Sequence, residues 1–146
     1  MYKTLVVSTE RCGSTNFMKT LELIFNDFKS QIDNIGFREF MDKSYQLSDF
    51  MGTKIVYKNN DMFVKDLIDY HDKVFLLVRN NLFEQVISLH IANETDIFHE
   101  ATDISVKALS LDKLKDSVVE LREINNKLTK LVDRRSILTY EKVKNI

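Results

Sequence analysis

The sequence has no proline, no tryptophan, one cysteine and three glycines among 146 residues. A single cysteine cannot close an internal disulfide, which excludes a disulfide-stapled secreted scaffold and suits a reducing cytoplasm. The scarcity of proline and glycine argues against a collagen-like chain. Long apolar runs are missing as well. The longest, Val74 to Val78, falls far short of the roughly 20 residues that span a bilayer. Met1-Tyr2-Lys3-Thr4 leads straight into a strand-like segment, so no signal peptide is expected. Charge of one sign is also missing. The 21 basic and 22 acidic residues leave a net −1, which argues against a non-specific nucleic-acid binder. What is present is 44% hydrophobic and 29% charged residues, enough for a chain of this length to bury its own core without metal or disulfide staples. At roughly 150 residues per domain, residues 1–146 are expected to form one domain.

Short β-rich runs alternate with longer helical patterns. Leu5-Val6-Val7, Ile55-Val56-Tyr57, Val74 to Val78 and Ile137 to Tyr140 read as strands, and Ile35-Gly36-Phe37 as a further short one. The Val74–Val78 run is continuously apolar, as a central strand covered on both faces should be. The spacing of Phe17, Leu21, Ile24, Phe25 and Phe28 predicts a helix over Ser14–Phe28. Further helices are predicted over Asp61–Tyr70, Asn81–Thr95 and Asp112–Val132, the last capped by Ser110 or Asp112. This alternation predicts an α/β fold, three layers α/β/α, around a mostly parallel sheet of four or five strands. Ligands of such sheets bind beyond the carboxyl ends of the strands.

Beyond the first strand lies Ser8-Thr9-Glu10-Arg11-Cys12-Gly13-Ser14-Thr15-Asn16. Gly13 lets a ligand approach the backbone, and the N–H groups of a helix start favour an anion. Ser14 and Thr15 add hydroxyls, and Arg11 adds a planar fork suited to phosphate or sulfate oxygens. The same loop can equally be read as a capped helix start with one turn glycine. Two stronger motifs are excluded. An ATP- or GTP-binding loop needs a glycine five residues before Gly13 and a lysine at Ser14, and neither is present. A helix start would lower the pKa of Cys12. A phosphatase-type loop would also need an arginine six residues beyond Cys12, where Met18 stands.

A second segment, Arg79 to Thr95, follows the strongest strand and carries Ser88 on its predicted helix. Together the two segments resemble the sulfotransferase superfamily, which uses 3′-phosphoadenosine-5′-phosphosulfate (PAPS), and within it the bacterial trehalose 2-sulfotransferase branch. The T-x-R-S-G-S-T-type loop of that branch is matched by Thr9-Glu10-Arg11-Cys12-Gly13-Ser14-Thr15. Its second motif is matched in spacing by Arg79, Gln85, Ser88, Leu89, Ala92, Thr95, Phe98 and His99, and its Y-E pair by Tyr140-Glu141. The matches bracket residues 4–142.

The resemblance implies a P-loop-NTPase-like sulfotransferase topology. It also implies transfer of a sulfonate from PAPS to an acceptor hydroxyl, of a sugar or glycolipid. By the same resemblance Arg11, Cys12, Gly13, Ser14, Thr15 and Asn16 hold the 5′-phosphosulfate, and Arg79 and Ser88 hold the 3′-phosphate. For Arg79 and Ser88 the alternative is a surface arginine and a helix serine bonded back to its own chain. Arg11 would supply electrostatic catalysis. Glu39, after the predicted second strand, would be the base, or else a solvated helix-start carboxylate. His71, His90 and His99 are other candidate bases. No metal is implied, and no cluster has ligand spacing. Two other readings stand beside the enzyme. One is a non-catalytic domain of the same fold that binds adenosine 3′,5′-bisphosphate or a protein partner. The other is a small-nucleotide kinase-like domain, which the missing loop lysine argues against.

Two features of the C-terminal third remain. Lys127, Lys130, Arg134 and Arg135 form a basic run, expected at the sheet edge opposite the site. Leu114, Val118, Leu121, Asn125, Leu128 and Val132 repeat at 3-4 spacing. That pattern fits either a helix packed on the sheet or the seam of a homodimer.

Overall fold

The computed structural model describes residues 3–24, 30–31, 52–58, 61–95 and 108–145. Its strands are β1 (Thr4–Ser8), β2 (Ser30–Gln31), β3 (Gly52–Val56), β4 (Lys73–Val78) and β5 (Ile137–Thr139). They form one five-stranded sheet in the order β2-β3-β1-β4-β5. Every neighbouring pair is parallel. The helices are α1 (Ser14–Ile24), α2 (Asp61–Tyr70), α3 (Leu82–Thr95), α4 (Leu111–Thr129) and a short α5 (Tyr140–Val143).

Alternation along the strands divides the core in two. Leu5, Val7, Ile55 and Leu76 face Phe63, Val64 and Leu67 of α2 and Leu128 of α4. Val6 and Leu77 face Cys12, Phe17 and Met18 at the start of α1. Successive side chains of a strand point to opposite faces, so one sheet carries both clusters and helices cover both sides. The expected α/β layering is therefore present. From β1 the chain runs to the edge strand β2 and then to β3 beside β1, all on one side, before it crosses to β4 on the other. The reversal of strand order beside β1 opens a crevice at its carboxyl end.

The expected helix over Asp61–Tyr70 is found at both ends. Ser110 is the N-cap of α4, its side chain accepting from the Lys113 N–H. That helix packs on the sheet through Leu128 and Ile124, so its spacing is explained by core packing. Helix α4 ends at Thr129 rather than Val132, and α1 is described only to Ile24. The expected strand at 35–37 and the candidate base Glu39 lie outside the described residues, as do Phe98 and His99. Two strand starts differ from expectation. β3 begins at Gly52 and takes in Thr53 and Lys54, and β2 is the polar pair Ser30–Gln31. Neither stretch has the apolar run that marks a strand, so pairing with β1 and β3, not hydropathy, makes them strands.

Candidate functional site

The loop between β1 and α1 turns on two departures from ordinary backbone geometry, on either side of Cys12. Arg11 has φ 63° and Gly13 has φ 74°. A left-handed conformation costs a side-chain-bearing residue about 1–2 kcal/mol, so Arg11 is held there by its surroundings. Its Nε donates to Ser88 Oγ on α3 at 2.9 Å, and its carbonyl accepts from Arg79 Nη1 at 3.2 Å. The Gly13 carbonyl accepts the Phe17 N–H at 3.0 Å and starts α1.

Gln85 ties the same loop to α3. Its Nε2 donates to Thr9 Oγ1 at 2.9 Å, to the Glu10 carbonyl at 2.6 Å and to Cys12 Sγ at 3.1 Å. A carbonyl can only accept, which fixes which end of the amide faces the loop. The Cys12 side chain packs inside this network. Burial pushes its thiol pKa up, against hydrogen bonds from Thr9 and Gln85 and the charge of Arg79 that work to lower it. This corrects the expectation of a lowered pKa. Burial in an apolar cluster outweighs the helix start, and Cys12 is a packing residue of the loop.

Arg79 is buried rather than exposed, with 8% of its side chain accessible. Nη2 pairs with Glu84 at 3.0 Å, and the guanidinium stacks on the Tyr140 ring at 4.3 Å from its centroid. The surface-arginine alternative therefore fails. Ser88 likewise takes its hydrogen bond from Arg11 across the crevice. Of the remaining loop residues, Ser14 is buried at the first helical position, and Asn16 is exposed. Thr15 Oγ1 accepts from Lys54 Nζ at 3.0 Å.

Lys54 was not legible as a site residue. It pairs in register with Val6 on the α1 face of the sheet and is nearly buried. Its only signal in the sequence was a lysine directly before the strand-like run Ile55-Val56-Tyr57. Tyr140, of the Y-E pair singled out in the sequence, also reaches the loop. It closes over Gly13, so that a Cβ there would lie 2.8 Å from Tyr140 Cδ2. Glu141, the other member of that pair, meets the start of α3. Its carboxylate accepts from the N–H groups of Asn80, at 3.1 Å, and Asn81, at 3.2 Å. Burial pushes the Glu141 carboxyl up, but those N–H groups, its own N–H and the Arg79 charge outweigh it. The carboxyl is held below the ordinary carboxylate range.

Beside the loop, between α3 and α4, lies a cavity of about 450 Å³. Thr9, Glu10, Tyr57, Lys58 and Gln85 line its sheet side, with His90 and Asn93 from α3 and Ser117 and Glu120 from α4. Lys58 and Glu10 pair at 3.4 Å. Lys127, expected on the far edge, instead donates to Tyr57 Oη at 3.1 Å and pairs with Asp61. Helix α4 packs across the face of the sheet, which brings Lys127 to the end of β3. His71 is the residue that lies away from the site. It precedes β4, at the amino edge of the sheet, and its Nδ1–H donates to the Leu67 carbonyl at 2.6 Å.

At this edge four buried polar atoms have no hydrogen-bond partner among the described residues: Ser8 Oγ, Arg79 Nε, Gln85 Oε1 and Thr139 Oγ1. Buried polar groups are normally paired, so unspent hydrogen-bonding capacity, the Arg79 Nε–H donor and the Gln85 Oε1 acceptor included, sits beside the loop. Among the described residues, no group of His, Cys, Asp and Glu is placed to hold a metal ion. No described helix is long and apolar enough to cross a membrane. No family model, curated protein or solved structure matches the chain.

Proposed function

We propose that the chain is a sulfotransferase that moves a sulfonate from PAPS to an acceptor hydroxyl. The reading is carried by one observation, the 2.9 Å hydrogen bond between Arg11 Nε and Ser88 Oγ. It joins two candidate anion-binding segments 77 residues apart in sequence. A donor with phosphates at both ends of its ribose needs two anion sites at one sheet edge. The backbone turn at Arg11 and Gly13 and the start of α1 would hold the 5′-phosphosulfate. Arg79 and Ser88 would hold the 3′-phosphate. Arg79 Nε, buried and without a partner among the described residues, fits that group.

The acceptor belongs in the cavity that shares Thr9 and Glu10 with the loop. Its mixed apolar and polar lining suits a hydroxylated molecule with an apolar face, such as a glycoside. His90 lines it and is a candidate base, and the sequence offers Glu39 as the other. The parallel sheet fits a reduced sulfotransferase topology, and the single cysteine suits a cytoplasmic setting. A homodimer remains a proposal.

A second reading, nucleotide binding without transfer, is favoured by the ion pair that Arg79 already makes with Glu84. Calorimetry with adenosine 3′,5′-bisphosphate tests both. No heat at millimolar ligand removes both, and binding unchanged in Arg79→Ala removes the site assignment. Transfer of labelled sulfate from PAPS to a panel of sugars, phenols and amines then separates enzyme from binder.

A further inference from the structure

The start of α3 holds a rearranged capping arrangement. Asn81 Oδ1 accepts the Glu84 N–H at 3.1 Å, which is one half of a capping box. In the complete box the glutamate side chain reaches back to the N–H of the cap residue. Here Glu141 takes that N–H, at 3.2 Å, along with the N–H of Asn80. The Glu84 carboxylate is left over from capping and pairs with Arg79 Nη2 at 3.0 Å instead.

The two partners of this pair differ in freedom. The Arg79 side chain is 8% exposed and is fixed by the Arg11 carbonyl and the Tyr140 ring, whereas that of Glu84 is 60% exposed. Glu84 can leave and Arg79 cannot. The carboxylate occupies one guanidinium nitrogen and leaves Nε–H without a partner among the described residues. A phosphate can accept two parallel N–H bonds from an arginine.

From these contacts we infer that Glu84 is an internal competitor for the anion site on Arg79. It occupies the guanidinium in the free protein and is displaced by a dianionic phosphate. Glu84 thereby sets the affinity and the charge selectivity of the site. A monoanionic group gains little over the carboxylate already there, whereas a phosphate dianion brings more charge and more acceptor oxygens. The inference rests on the reading that Arg79 holds the 3′-phosphate.

The test is calorimetry on wild type and Glu84→Gln. The glutamine keeps the helix start, because the bond to Asn81 Oδ1 uses the backbone N–H of residue 84 and not its side chain. The titrants are adenosine 3′,5′-bisphosphate and adenosine 5′-monophosphate, which lacks the 3′ group. Glu84→Gln is expected to tighten the bisphosphate about five- to tenfold, the scale of one charge-assisted hydrogen bond. It is expected to leave the monophosphate within about twofold. If wild type binds the bisphosphate and the variant binds it equally or more weakly, Glu84 orients Arg79 instead, and the inference fails while the nucleotide reading stands. Equal tightening of both ligands also overturns it, because Glu84 is then only a nearby charge. No binding of the bisphosphate by either protein removes the reading and the inference together.

Discussion

The ring of Tyr140 closes the space into which Gly13 would project a side chain. A Cβ at Gly13 would meet Tyr140 Cδ2 at 2.8 Å and Cε2 at 3.0 Å. The left-handed φ of 74° adds a second penalty for any residue but glycine. Gly13→Ala is therefore expected to cost about 2–4 kcal/mol, the sum of backbone strain and overpacking. Urea denaturation of the two proteins measures it. The double variant Gly13→Ala with Tyr140→Ala should recover the steric part and retain the backbone part. If Gly13→Ala is neutral, the close approach of Tyr140 is wrong.

Gln85 ties the loop to α3 through hydrogen bonds from one side-chain nitrogen. Replacing it by leucine keeps the volume and leaves the Glu10 carbonyl and the Thr9 hydroxyl without that donor. A loss of about 2–3 kcal/mol is expected, since unpaired buried acceptors carry their full desolvation cost. Hydrogen exchange should show faster opening of the loop at residues 9–13 than of the sheet. Equal exchange across the two regions would mean that Gln85 does not hold the loop.

Glu141 should give the protein an acid-labile contact. Its folded pKa lies below the ordinary carboxylate value. The stabilisation is therefore complete above the unfolded value, about 4.3, and is lost as the pH falls through the folded one. Denaturant midpoints taken from pH 6 down to pH 3 should fall more steeply for wild type than for Glu141→Gln. Parallel curves would show that the carboxylate has no preferential contact with the start of α3.

His71 works in a different pH window. Burial lowers its pKa, opposed in part by the hydrogen bond to Leu67. Its neutral form is thus favoured in the folded state, and the unfolded chain binds the extra proton. Stability should rise with pH through the window that ends near the unfolded value, about 6.5. Between pH 5 and pH 7.5 wild type should gain stability that His71→Gln does not. Titration of the His71 ring by NMR gives the same quantity directly, and an ordinary or raised pKa there would rule the account out.

Several elements were legible because their signal is local. Val74 to Val78 is a continuous apolar run, and it forms a central part of the sheet as β4. The helix over Asp61–Tyr70 follows from apolar spacing, and its buried face is Phe63, Val64 and Leu67. The Arg11–Gly13 loop could be singled out by a glycine between a strand and a helix. Lys54 could not, because its neighbours in space come from strand pairing with β1 and from α1, 39 residues away in sequence. Lys127 was misplaced for the same reason. Its partners Tyr57 and Asp61 meet it only when α4 packs on the sheet.

The sequence by itself determined the alternation of strands and helices, the parallel sheet and the glycine turn beyond its first strand. Each is written in spacing and backbone freedom over a few consecutive residues. The tertiary structure alone decided that Arg79 is buried against Tyr140, that Glu141 displaces Glu84 from the capping position, and that Glu84 then turns to Arg79. These relations join the ends of β4 and β5 to the start of α3. Which carboxylate takes which N–H depends on distances that exist only once the sheet has assembled.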